Sequence, residues 1–173
     1  MQRYRPQRSF LLIFVLGYAA LDWCYRQVPD QILSEHIYRW GINQVAANII
    51  NAATPAAQVK VKVDAHRLVS PGVTLEVVRG CDGSGLLFLL VAAVIAFGAS
   101  WPRKLLGLLA AAALVYVLNE LRVVALYFVL VNKPAWFVPL HASIIPLLTI
   151  ALSAMFYLYW TRWALARDAH VAS

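Results

Sequence analysis

Three residues that could together perform acyl-transfer chemistry stand far apart in the chain: Cys81, Arg122 and His141. A cysteine thiolate is a nucleophile, and a histidine can carry a proton to and from a reacting group. An arginine stays charged and can stabilise a developing negative charge. Together they would support attack on a carbonyl carbon through a thioester, provided that the fold brings them to one place.

The segment around Cys81 is rich in glycine. Gly80 and Gly83 flank the dipeptide formed by Cys81 and Asp82. Glycine lets the backbone turn tightly and admits another chain close to the sulfur. Gly80, Asp82 and Gly83 are therefore candidate supporting or substrate-binding residues. Two alternatives stay open for the thiol: an inert packed cysteine, or a disulfide with Cys24.

The composition decides the environment of these residues. Of 173 residues, 62% are hydrophobic and 13% are charged, whereas a soluble domain is about half apolar and a quarter charged. A soluble chain this short could not hide so much apolar surface. We therefore predict an all-α polytopic membrane protein.

About four apolar segments approach the roughly 20 residues that a bilayer span needs. Together they predict one integral membrane domain over residues 1–173. The predicted spans cover about residues 10–26, 84–101, 105–131 and 142–161, with an extracytoplasmic segment at about 27–83.

The third predicted span carries polar residues that are costly in hydrocarbon. Asn119 and Arg122 are three residues apart and share a helix face, whereas Glu120 points elsewhere. Asn119 is thus a candidate supporting residue for Arg122. As an alternative, Arg122 snorkels to the interface or pairs with Glu120 or Asp82 to hold helices together.

The basic residues predict the orientation, because cytoplasmic flanks are enriched in Lys and Arg. We expect both termini in the cytoplasm and the starts of the second and fourth spans, with Cys81 and His141, at the extracytoplasmic face of the cell inner membrane. A cleaved signal peptide is the alternative for the N-terminus, but the bulky, charged pair before Cys24 disfavours cleavage. The basic residues that set this orientation are Arg3, Arg5, Arg8, Arg103, Lys104, Arg162 and Arg167.

The extracytoplasmic segment predicts structure of its own. Apolar residues recur at roughly helical spacing between Ile32 and Ile50, which predicts an amphipathic helix on the membrane surface that Pro55 ends. Residues 59–63 and 73–77 alternate between apolar and polar side chains, with a Pro-Gly turn signal between them. We expect these two runs to form a β-hairpin.

The ordered set of motifs resembles the exosortase/archaeosortase family in its compact, minimal type. The resemblance covers about residues 75–150 and rests on Gly80-Cys81-Asp82-Gly83, on Asn119-Glu120-Leu121-Arg122-Val123 and on His141. It implies a membrane cysteine protease or transpeptidase with catalytic Cys81, Arg122 and His141.

The resemblance also implies the partners. The substrates would be C-terminally anchored proteins whose sorting signal consists of a short motif, a transmembrane helix and a basic tail. Membrane lipid and a glycan or lipid acceptor are the other expected partners. Nucleic acid is not expected, because the basic residues flank apolar segments and do not form one patch. No metal or other cofactor is implied, since a Cys–Arg–His site needs none.

Two other classes of function compete with this one. In a non-catalytic membrane assembly or scaffold protein, Arg122 would hold helices together, Cys81 would be inert and His141 would be a polar interfacial anchor. A small transporter would need a polar path through the membrane, and only one predicted span is strongly polar.

Overall fold

The structure is a computed structural model, which describes residues 7–55 and 60–171. It confirms a mostly helical chain with one small sheet. The structure does not describe every residue used in the predictions above. For some basic residues and for one residue of the predicted hairpin, either the backbone or the side chain is not described. These residues are Arg3, Arg5, Arg8, Val59 and Arg167.

Long apolar helical segments lie at three of the four predicted spans. By length and composition, three helical segments can cross a membrane in the part of the chain that the structure describes: Ser9–Arg26, Trp101–Asn132 and Pro134–Ala166. The helix bounds are α1 Gln7–Arg26, α2 Asp30–Ile32, α3 Gln44–Ala53, α4 Ser84–Ala96, α5 Trp101–Asn132, α6 Phe137–Pro139 and α7 Ile145–Val171.

The second predicted span is shorter than expected. Helix α4 has 13 residues, which is about 20 Å of helix against about 30 Å of hydrocarbon. Residues 97–100 are not helical, and α5 begins at Trp101. Pro102 explains this boundary, because a proline fits the first turn of a helix and disfavours helical backbone before it. The apolar run that predicts a span over 84–101 therefore contains a helix end.

The elements group into two compact units, the first of which contains residues 7–26, 85–115 and 149–171. Here Trp160 packs with Val94 and Ala164, and its indole N–H donates to the carbonyl of Arg103 over 3.3 Å. A Cβ added to Gly107 would overlap the Trp160 ring. This close approach therefore requires glycine at position 107.

The second unit contains residues 27–84 and 116–148, and it begins with the predicted amphipathic helix. Helices α2 and α3 continue one another through a π-helical segment, Leu33–Asn43. The helical run ends at Ala53, before Pro55, as predicted. Ile37 and Trp40 of the predicted apolar face are exposed, whereas Leu33 and Ile50 of the same set are buried, so the position of this helix on a membrane surface stays a prediction.

The predicted β-hairpin is wrong in its pairing, because a third strand lies between the two predicted ones. Strands β1 (Lys62–Asp64), β2 (Arg67–Ser70) and β3 (Val73–Glu76) form an antiparallel sheet in the order β1-β2-β3. The Pro-Gly turn joins β2 to β3, with Gly72 at φ +78°. A second two-residue turn, in which Ala65 has φ +49°, joins β1 to β2, whose Leu68 is fully buried.

Candidate active site

Cys81 lies in the loop that connects β3 to α4. Gly80 and Gly83 on either side have φ of +87° and +81°, a conformation that glycine adopts without steric cost. The backbone N–H of Cys81 donates to the carbonyl oxygen of Val78 over 2.9 Å. The predicted glycine-rich turn is therefore present, and it fixes the position of the thiol.

Asp82 stabilises this loop from within. One carboxylate oxygen, Oδ1, accepts hydrogen bonds from the Ser84 hydroxyl at 2.8 Å and from the Ser84 backbone N–H at 3.3 Å. The other oxygen, Oδ2, accepts one from the Tyr38 hydroxyl at 3.2 Å. Tyr38 comes from the amphipathic helix, 44 residues earlier. Sequence reasoning missed Tyr38, because a tyrosine on an amphipathic helix carries no signal of its partner.

Arg79 connects the same loop to residues 28–30, just after α1. Its guanidinium donates to the Asp30 carboxylate and to the carbonyl of Val28, both over 2.7 Å. The loop is thus anchored on both sides of Cys81. Such anchoring is what a nucleophile needs in order to be held in one orientation.

His141 lies close to the thiol. Its Nε2 is 3.8 Å from Sγ of Cys81, although the two residues are 60 positions apart. The imidazole stacks on the Phe137 ring with 5.3 Å between centroids. Its Nδ1 is buried and has no hydrogen-bond partner among the described residues. Aromatic stacking therefore orients this ring. In many catalytic histidines a hydrogen bond to a carboxylate does so instead.

The backbone around His141 is irregular. Residues Leu140–Ile144 form a π-helical segment between α6 and α7. Pro146 has no N–H to donate, so this wider hydrogen-bonding pattern cannot continue past it. Single π-helical turns are frequent at functional sites, because they re-aim one side chain without breaking the helix.

Arg122 lines the same cavity as Cys81 and His141. In the described part of the chain it forms no ion pair or hydrogen bond, so the alternative pairing with Glu120 or Asp82 is not seen. Arg122 is ten residues before the end of α5, which places its backbone about 15 Å from that end. The guanidinium is therefore available to a substrate.

The cavity has a volume of about 570 Å³, which lies within the range of roughly 300–1,000 Å³ usual for ligand pockets. Helix α5 and the β3 region form much of its lining, and most of the side chains are apolar. An apolar lining strengthens any electrostatic interaction made inside. The lining residues are Thr74, Leu75, Glu76, Val77, Val78, Cys81, Arg122, Val123, Leu126, Leu130, Phe137 and His141.

Asn119 and Glu120 are both buried, and neither is among the lining residues. Both carboxylate oxygens of Glu120 lack a hydrogen-bond partner among the described residues. The supporting role of Asn119 stays a prediction. Glu120, considered above as a partner of Arg122, is buried without a partner among the described residues.

The two cysteines, Cys24 and Cys81, are free thiols in the structure, and Cys24 is exposed. The alternative of a disulfide between them is therefore not seen.

Long apolar helices, with a thiol, an imidazole and a guanidinium around one cavity, define the class: a polytopic membrane protein with a candidate Cys–His–Arg site. The family model of the transmembrane exosortases matches residues 7–144, which is most of the chain. The protein belongs to this family, and the predicted resemblance is confirmed. No curated protein and no solved structure matches the chain.

Proposed function

We propose that this exosortase is a membrane cysteine protease or transpeptidase that recognises C-terminal sorting signals and cleaves near the recognised motif. The observation that carries the proposal is the distance of 3.8 Å between Cys81 Sγ and His141 Nε2, in a cavity that Arg122 also lines. A thiol beside an imidazole is the arrangement that activates a cysteine nucleophile.

In the first half of the reaction, His141 Nε2 takes the proton of the Cys81 thiol. The sulfur attacks the scissile carbonyl carbon and forms a tetrahedral intermediate. The C–N bond then breaks, His141 gives its proton to the departing amine, and the substrate stays on Cys81 as a thioester.

Arg122 would stabilise the negative oxygen of the tetrahedral intermediate. In many acyl-transfer enzymes the backbone N–H of the nucleophile stabilises this oxygen. In this protein the N–H of Cys81 already donates to the carbonyl oxygen of Val78. Arg122 has no partner among the described residues, so its guanidinium can donate to the oxyanion. Asn119, on the preceding turn of α5, would help to orient it.

In the second half, water or an acceptor attacks the thioester. His141 takes the proton of the attacking group, the C–S bond breaks, and the Cys81 thiolate is regenerated and reprotonated. Water gives hydrolysis, whereas a hydroxyl or amine on a glycan or lipid acceptor gives transfer.

The proposed partners and place follow from the membrane setting. A substrate with a transmembrane helix and a basic tail would lie in the same bilayer, which places its motif at one depth beside the site. The site would face the extracytoplasmic side of the inner membrane, with both termini in the cytoplasm. Orientation of this kind is set by the basic flanks.

The test is co-expression with a tagged candidate substrate that carries a motif, an apolar helix and a basic tail. Wild type is expected to shorten it, as seen by a gel shift. Cys81→Ala should lower the processing rate by about 1,000-fold or more, because the nucleophile is lost. His141→Ala should lower it by roughly 100- to 10,000-fold, and Arg122→Gln by roughly 100- to 1,000-fold.

Cys24→Ala is the matched control, because this thiol is exposed and lies outside the cavity. It should process the substrate like wild type. If Cys81→Ala processes as fast as wild type, Cys81 is not the nucleophile. If each variant inserts normally and nothing is processed with any candidate, the scaffold function gains support.

A further inference from the structure

Strand β3 has an open edge. In the sheet of the described residues β3 pairs with β2 and has no neighbour on its other side. The backbone N–H of Val77 donates to the carbonyl of His66 over 2.8 Å, so these two residues form a hydrogen-bonded pair. Because antiparallel pairs alternate, Val73, Leu75 and Val77 direct their backbone groups toward β2.

The residues between them direct their backbone groups the other way. Thr74 and Glu76 occupy the non-hydrogen-bonded positions opposite Val69 and Arg67. Their N–H and C=O groups therefore point away from β2, about 6.6–6.8 Å apart along the strand. This is the repeat that an extended peptide presents on one edge.

The open edge borders the cavity of the candidate active site. Five consecutive residues, 74–78, line this cavity, although their side chains alternate between the two faces of the sheet. Consecutive strand residues have side chains on opposite faces, so the part of them that can line one cavity together is the main-chain edge. The same chain then reaches Cys81 five residues after Glu76, within about 17 Å.

The opposite part of the lining is apolar and helical. Val123, Leu126 and Leu130 of α5 recur at helical spacing, and with Phe137 they face the same cavity. Tyr127, the next residue after Leu126, donates from its hydroxyl to Oγ of Ser70 over 3.0 Å. The turn that precedes β3 is thereby attached to α5, which fixes the width of the cavity.

We propose that an extended segment of the substrate, adjacent to the scissile bond, adds to β3 as a fourth strand and pairs with the backbone of Thr74 and Glu76. This inference rests on the proposed function. A peptide satisfies both the donors and the acceptors of the edge, whereas a lipid chain would leave them unpaired in a largely apolar cavity. Main-chain pairing supplies affinity and orientation, and the apolar α5 wall selects side chains.

The first experiment separates binding from chemistry. A photoreactive amino acid is placed at position 74 in the Cys81→Ala background, together with a tagged anchored reporter. Position 62, an exposed lysine on β1 at the far side of the sheet, is the control. We expect irradiation to join the reporter to position 74 at least tenfold more than to position 62. Equal capture at both positions would overturn the proposal.

The second experiment removes one N–H of the open edge. Thr74→Pro lacks the outward donor and keeps the bonds from β3 to β2, since proline is tolerated at strand edges. Thr74→Ala keeps the backbone and is the matched control. Processing of a reporter that depends on Cys81 should fall about tenfold for Thr74→Pro relative to Thr74→Ala, as expected for the loss of one hydrogen bond between the strand and the substrate. Equal rates would contradict the pairing.

A proline scan of the reporter covers the case in which Thr74→Pro fails to fold. Proline is moved one residue at a time through the six positions before the cut. Strand addition predicts loss at alternate positions, because every second N–H of an added strand faces β3. If proline is tolerated at all six positions, or if processing is lost over one continuous block of positions, strand addition is overturned. Capture at position 74 without any Cys81-dependent processing would instead refute the chemistry and leave the binding mode standing.

Discussion

At the scale of single residues, the site depends on which polar groups have partners and which do not. Asp82 is hydrogen-bonded through both of its oxygens, so its role is to hold the loop. Arg122 and the buried Nδ1 atom of His141 both lack partners among the described residues, and the Arg122 guanidinium lines the cavity, where it can meet a substrate. The backbone N–H of Cys81 donates to Val78, so the thiol is the group of this residue that can react with a substrate.

Glu120 is the exception, because it is buried and unpaired yet lies outside the cavity lining. A buried carboxylate without a partner is costly, and a glutamine of the same shape removes the charge. We expect Glu120→Gln to raise the melting temperature in detergent by about 2–4 °C, which corresponds to about 1 kcal/mol for a protein of this size.

Glu35→Gln is the control for Glu120→Gln, because Glu35 lies at the surface and pairs with Arg39. This exposed pair contributes little, so a change within about 0.5 kcal/mol is expected. A strong loss of stability in Glu120→Gln would mean that the carboxylate has a required partner in the assembled protein.

At the scale of elements, the loop between β3 and α4 decides where the thiol lies. Its two glycines have positive φ, Tyr38 donates to Asp82 of the loop, and Arg79 of the loop donates to Val28. The π-helical turn at His141 provides the matching adjustment on the other side. The sheet contributes the strand that leads into Cys81.

Gly80→Ala tests the backbone of this loop. Nothing within 4 Å would meet the added methyl group, so its effect comes from φ +87° alone. We expect a loss of about 1–2 kcal/mol of stability or a shifted loop, and in either case slower processing of a Cys81-dependent reporter.

Gly85→Ala provides the comparison, because its methyl group also meets nothing and Gly85 lies in the first turn of α4 without a positive φ. Alanine favours helix by roughly 0.5–1 kcal/mol, so stability should be unchanged or higher. If both variants behave alike in melting temperature and in processing, the positive φ at Gly80 does not position the thiol.

At the scale of the whole molecule, sidedness in the membrane decides which substrates can reach the site. The basic flanks predict cytoplasmic termini and an extracytoplasmic site. The three span-length helices and the shorter α4 are consistent with a chain that enters the membrane several times, and they do not by themselves fix its direction.

Single-cysteine labelling tests the direction. In a Cys24→Ser, Cys81→Ala background, a membrane-impermeant maleimide should label Lys133→Cys in intact cells. Ser100→Cys should be labelled only after permeabilisation, because it lies between α4 and α5 on the predicted cytoplasmic side. Both positions are exposed in the structure, so access depends on the membrane alone. The reverse pattern would invert the topology and place the site in the cytoplasm.

The amino-acid sequence alone predicts the membrane class, the long apolar helices and the candidate site residues. These follow from local properties: apolar length, basic flanks, glycine around Cys81 and polar residues within an apolar span. It also determined that a helix occupies residues 32–50 and stops before Pro55, since proline cannot continue it.

How these elements pair and pack depends on the tertiary fold. The strand Arg67–Ser70 was missed because four residues carry too little periodicity, and its pairing depends on a turn at Ala65 that no turn motif marks. The end of α4 at Ala96 was also not predicted, because the apolar residues continue past it without a break. The contact between Cys81 and His141, and the bond from Tyr38 to Asp82, join residues 60 and 44 positions apart. Such contacts are set by packing, which a local pattern does not encode.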